Sequence, residues 1–150
     1  MNKANLFAIA ALSLAAIGLA QAQAPAPVPG VVASRQTSMG LMYGSWNGMR
    51  VAVEAKADPK RFAIQTYAMA EFGKQIPALF PQSAGPGDKG LPAIWEDWAG
   101  FQRAAAALTA AAEAANTAAV AGDVAAFAVA VKSVTEACQG CHPRKFAKSW

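Results

Sequence analysis

The sequence predicts an all-α protein, an antiparallel four-helix bundle, on three observations. Apolar residues recur at 3-4 helical spacing in four separate blocks, Pro, Gly and Asp punctuate the blocks, and no stretch alternates with the period of two that marks a strand. Short connections with one longer second crossing suit a bundle of antiparallel neighbours. The chain's 150 residues are 55% apolar and 15% charged, which fits one folded domain and excludes a disordered chain. Two Cys cannot make a disulfide framework, and a single His excludes a multi-histidine metal site. The net charge of +4 is small and spread along the chain, so it gives no case for nucleic acid.

The first element is a targeting segment. Lys3 is the only charge before Arg35, an apolar run spans Leu6 to Ala20, and two small-x-small sites follow, Ala20-Gln21-Ala22 and Ala22-Gln23-Ala24. This is the order of a secretory signal peptide, residues 1–22, with an apolar run short of the ~20 residues that span a membrane. Pro25 beside the second site favours cleavage after Ala22. The mature chain is then exported, to a periplasm, with no membrane insertion. Residues 23–30 form a stiff Pro-rich arm, and the bundle occupies 31–150.

In the first helix Val32, Met39, Met42, Trp46, Met49 and Val53 step 3-4 along one seam. Asp58-Pro59 ends that block and opens the second as N-cap and first helical residue. The second seam runs Phe62, Gln65, Met69, Phe72, Ile76 and Leu79, and Pro77 is expected to bend its last turn. A Gly/Pro-rich loop covers 81–91. Pro92 opens the third helix, whose seam is Ile94, Trp98, Phe101, Ala105, Leu108 and Ala112. Gly122 closes it and Asp123 caps the fourth. There Val124, Phe127, Val131, Val134, Cys138 and Cys141 face inward.

Cys138-Gln139-Gly140-Cys141-His142 gathers every Cys and the only His of the chain. C-x-x-C-H is the attachment signature of c-type heme. Two thiols three apart on a helix share a side and can each add to a heme vinyl group, and the His, four residues from the first Cys, reaches the iron from that side. Three other uses are weaker. A redox dithiol wants a helix N-terminus, and this pair lies near a C-terminus, where the dipole opposes thiolate. Structural zinc needs four ligands, and only three soft or imidazole groups are present. A plain disulfide gives His142 no purpose.

With these residues in view, the chain resembles the class II cytochromes c, the cytochrome c′ group. Arg35-Gln36-x-x-Met39, Leu79-Phe80-Pro81, Pro92-Ala93-Ile94-Trp95-x-Asp97 with Phe101, Gly122-Asp123 and the C-x-x-C-H motif carry the resemblance in order. One departure stands out. The family follows its motif with an aromatic and then a basic residue, three and four positions after the His. Here Pro143-Arg144-Lys145-Phe146 brings the aromatic one place late, and Pro143 should end or kink the helix. The family's basic residue beside the His is therefore not carried over.

The resemblance implies one covalent heme c in a bundle, with Met39 on the side of the iron opposite His142. Met39 also lies on the inward seam and carries a soft thioether. If its sulfur ligates, His142/Met39 coordination suits electron transfer. If it only packs there, the iron is five-coordinate and binds nitric oxide or carbon monoxide. Met42 and Met49 are weaker candidates, and Met on an apolar face also serves as core filler. Arg35, one turn before Met39, needs a carboxylate or must reach solvent; the resemblance points it to the heme propionates. Trp95, Trp98, Phe72 and Phe127 are expected to contact heme or core.

On helix one, Leu41, Gly44, Gly48, Val51 and Ala55 form a second 3-4 line, about 200° from the first. Gly40, Gly44 and Gly48 repeat every fourth residue, at a cost of about 1 kcal/mol each against Ala. A homodimer through this face is expected, as the resemblance also implies. Arg144, Lys145 and Lys148 read either as a solvated tail or as a docking patch for an acidic redox partner protein. No nucleophile with a base and no paired carboxylates argue for an enzyme. A heme-free helical interaction domain with a disulfide is the reading from another class.

Overall fold

Asp and Gly set the helix ends. The Asp58, Asp97 and Asp123 carboxylates accept hydrogen bonds from the backbone N–H groups of Lys60, Gly100 and Ala126, at 3.0, 2.9 and 2.9 Å. Each such cap is worth about 1 kcal/mol. Gly122, at φ 75°, closes the long Ala-rich helix in the left-handed conformation that favours Gly. The computed structural model describes residues 30–87, 89–142 and 145–148. The expected signal peptide, all but the last residue of the Pro-rich arm, Pro143 and Arg144 lie outside the described residues.

Among the described residues the helices are α1 (Val31–Glu54), α2 (Ala63–Gln75), α3 (Ala93–Glu96), α4 (Trp98–Ala121) and α5 (Val124–Cys141). The four longer ones are the expected bundle. Three boundaries differ from the sequence reading. Pro59 opens a 3-10 turn, Pro59–Phe62, and the α-helix begins only at Ala63. Pro77 does not bend a last turn; α2 ends at Gln75 and Pro77–Leu79 is a separate 3-10 turn. Proline there lacks an N–H and crowds the carbonyl one turn back. The third helix is not continuous from Pro92. It breaks at Asp97 (φ −120°, ψ 58°), whose carboxylate caps the new N-terminus while Gly100 has no Cβ to obstruct it.

The closest-packed pairs are α2 with α4 and α4 with α5; α1 rests on α5 and more lightly on α2. One core cluster joins Met49, Met69, Phe127, Val131 and Val134 to the buried alanines of α4. The other gathers Ile76, Phe80, Ile94, Phe101, Ala105 and Phe146. Val124, expected inward, is exposed at the helix start. No helix among the described residues is long and apolar enough to cross a membrane.

Small residues set the α2–α4 spacing. A Cβ on Gly73 would lie 2.5 Å from Thr109 Oγ1 and 3.2 Å from the Thr109 backbone N and Cα. Gly73→Ala gains about 1 kcal/mol of helix propensity, but overpacking costs about 1–3 kcal/mol, and backbone atoms cannot rotate away. A net loss of about 1 kcal/mol is expected, read as a lower urea midpoint at unchanged m. An unmoved midpoint would show that the two helices part freely.

Candidate cofactor site

The end of α5 brings the Cys pair onto the face it turns to the bundle. Cys138 and Cys141 are half-buried free thiols. Burial, helped by the neighbouring Cys141, pushes the Cys138 thiol up to about 11. Burial also raises Cys141, against the pull of Lys145. Both stay protonated at neutral pH, the opposite of what a nucleophilic dithiol needs. Among the described residues no group of three or more His, Cys, Asp or Glu is placed to hold a metal ion by itself.

His142 is the residue at which the helix stops. Its N–H still reaches the Cys138 carbonyl at 3.0 Å, but its backbone is extended, φ −108° and ψ 154°. Preceding a proline in sequence, it is held out of the α region by steric clash. Its Nδ1 lies 3.1 Å from the Lys148 carbonyl oxygen.

The two thiols, His142 and Met39 all line one cavity of about 400 Å³, a size typical of cofactor pockets. Helix α1 supplies Arg35, Met39, Met42, Tyr43 and Trp46; α2 supplies Met69 and Phe72, with Ile76 just past its end; Phe101 and Leu108 come from α4. The walls are largely apolar, with thiols and imidazole on one element and a thioether on another. That donor set suits heme iron and vinyl attachment. The residues present therefore fit a covalent heme.

Arg35 is 3% exposed. Of the two outcomes the sequence leaves open, it does not take the one of reaching solvent. Its guanidinium donates to the Leu79 carbonyl at 3.3 Å and the Gly85 carbonyl at 2.7 Å and lies 4.4 Å over the Phe80 ring. It thus ties the 79–85 segment to α1 while lining the cavity. Met49 is fully buried in the other core cluster and does not line the cavity, so it drops out as an iron ligand; Met42 does line it. Phe72 lines the cavity as well, whereas Phe127 stacks on Phe62 in the core, and Trp95 donates its indole N–H to the Phe80 carbonyl at 3.0 Å. Trp98 packs in the second core cluster, with its ring centroid 5.5 Å from that of Phe101.

Sequence reasoning missed Tyr43, Lys89, Gly90 and Phe146 as cavity residues. Tyr43 lies off the apolar seam, and the others sit in segments without periodicity. The late aromatic was the available signal for Phe146. It is 1% exposed and packs edge-on against Phe101.

The cytochrome C′ family profile matches residues 30–145. A cytochrome c′ from Rubrivivax gelatinosus is 31% identical over 117 residues, 73% of this chain and 88% of the relative. The crystal structure of cytochrome c′ from that organism superposes with a TM-score of 0.67 at 30% identity, covering 76% of this chain and 91% of the other. A nitric oxide complex of a point variant of cytochrome c prime from Alcaligenes xylosoxidans gives 0.71 at 25% identity, over 79% and 94%.

Proposed function

The chain belongs to the cytochrome c′ family, and from that premise we propose that it is an exported one-electron carrier with a single covalent heme c. The observation that carries this reading is the shared cavity of Cys138, Cys141, His142 and Met39. When bound, heme supplies an Fe(III)/Fe(II) couple. Cys138 and Cys141 would anchor it through thioethers, and His142 and Met39 would ligate its iron, a pairing that raises the potential. Arg35 provides positive charge for the propionates. The apolar walls keep water from the iron, and electrons pass without bonds made or broken in a substrate, so the protein is not an enzyme.

Two measurements test the reading. Heme stain that survives a denaturing gel establishes thioether attachment, and its absence would leave a heme-free helical domain. Narrow low-spin visible bands in both oxidation states, unmoved by carbon monoxide, are expected of His142/Met39 ligation. A second reading has the nitric oxide complex of the Alcaligenes relative behind it: an open iron with Met39 as a lid, binding nitric oxide or carbon monoxide. Broad high-spin bands that shift with carbon monoxide would establish it.

Residues 1–22 direct export to the periplasm and are removed. Lys145 and Lys148, exposed beside the His142 end of the cavity, form a docking patch for an acidic redox partner. The protein pairs with a second copy through α1. Leu41 and Val51 are exposed there, and a Cβ at Gly40 or Gly44 would meet nothing within 4 Å, whereas Gly48 already faces the Phe62 ring of its own subunit. Gly44→Glu is expected to halve the mass seen in sedimentation, because a charge buried in an apolar interface is costly. An unchanged mass would rule this face out.

A further inference from the structure

The helix that carries the Cys pair stops at His142, so α5 alone does not orient the imidazole. Ligating His side chains are oriented by a hydrogen bond from the other ring nitrogen. Here that partner is the backbone carbonyl of Lys148, 3.1 Å from Nδ1. A carbonyl only accepts, so Nδ1 carries the proton and Nε2 is the nitrogen for iron.

The backbone leading to the Lys148 carbonyl is held from two sides. Lys148 N–H donates to the Lys89 carbonyl at 2.8 Å and Leu91 N–H to the Phe146 carbonyl at 2.9 Å, flanking an antiparallel bridge between Gly90 and Ala147. The N–H groups of Phe146 and Ala147 return to the Cys141 carbonyl at 3.1 and 3.3 Å. Between these bonds the Phe146 ring is sunk in the core, its centroid 5.5 Å from that of Phe101. Gly90 is required for the opposing turn, since a Cβ there would collide with the Pro86 carbonyl.

We propose that residues 145–148 are a positioning strap for His142, anchored by the Phe146 ring, latched to 89–91, and acting on the imidazole through the Lys148 carbonyl. The inference rests on the reading of His142 as the iron ligand. The one-place delay of the aromatic after the motif has a use here: it sinks the ring as an anchor and leaves a main-chain oxygen to meet the imidazole. The identity of side chain 148 is immaterial to this role, and the course of its backbone is decisive.

The test is proton NMR of the ferric holoprotein, in which iron shifts the imidazole Nδ1–H away from the other signals and its exchange with deuterated solvent can be timed. The wild type is expected to exchange slowly. Phe146→Ala removes the anchor, and Lys148→Pro removes the latch N–H at an exposed residue; each is expected to speed exchange at least tenfold and to move the resonance. Phe146→Leu and Lys148→Ala, which keep an anchor and the carbonyl, should stay near the wild-type rate. If Phe146→Ala does not fold, Lys148→Pro carries the test. Fast exchange in the wild type, or unchanged exchange in Lys148→Pro, overturns the strap while leaving heme attachment intact. A wild type without stainable heme overturns the functional reading, and the strap with it.

Discussion

Replacing Cys138 and Cys141 together by Ser is expected to yield a protein with no covalent heme and with α1 no longer docked. Sulfur-to-oxygen exchange barely alters side-chain volume, so the effect comes from lost attachment. The cavity is about 400 Å³. Left without contents, a closed apolar space of that size would forfeit on the order of 10 kcal/mol if nothing relaxed, and this one, partly open, forfeits a share of that. The full figure is comparable with the whole stability of a domain, about 5–15 kcal/mol, so the wall that can move will move. Helix α1 is that wall. Its N-terminal half, Arg35 to Trp46, borders the cavity, while Met49 and Ala52 farther along are its buried residues on the core side. Amides of α1 should exchange with solvent far faster than those of α4, and the gel should lose its heme stain. Stain that survives in the double variant would refute the attachment.

Met39→Leu should leave the fold standing and change the iron. The swap conserves volume and typically costs less than about 1.5 kcal/mol, so circular dichroism and the urea midpoint should move little. With the thioether gone, the sixth position opens: the ferrous protein becomes high-spin and takes up carbon monoxide, and the potential falls, because methionine ligation raises it. A wild type that already binds carbon monoxide, with a variant spectrum identical to it, would make Met39 a packing residue and favour the gas-binding reading.

What could be read from the chain alone divides along physical lines. Met39, Trp46, Met69, Phe101 and Val131 announced the buried faces because a helix repeats its inward direction every three or four residues. The C-x-x-C-H segment announced its chemistry because the spacing is local to one helix turn. The break at Asp97 was hidden, since Pro92 through Phe101 also reads as an unbroken seam and only the competing cap at Gly100 divides it. Tyr43 was hidden because it borders the cavity from outside the seam. Arg35 was half legible. Its burial followed from its place on α1, but two of its acceptors are carbonyls from residues 79 and 85, and no side-chain pattern encodes a main-chain acceptor. The strap was least legible, since Phe146 packs from a segment with no repeat at all.

The lodging of α1 also dictates an order of assembly. Helices α2, α4 and α5 pack on near neighbours in the chain, whereas the Trp46–Thr135 hydrogen bond that pins α1 to α5 spans 89 residues. Closing so long a loop costs chain entropy before any contact repays it. The α2–α4–α5 core is therefore expected to form first and α1 to arrive last. Substitutions in α1 act chiefly on the rate of unfolding and leave the folding rate nearly untouched. The helix nearest the start of the fold is the last to find its place, and it closes over the cavity only after the Cys pair at the other end of the chain is already held in the core.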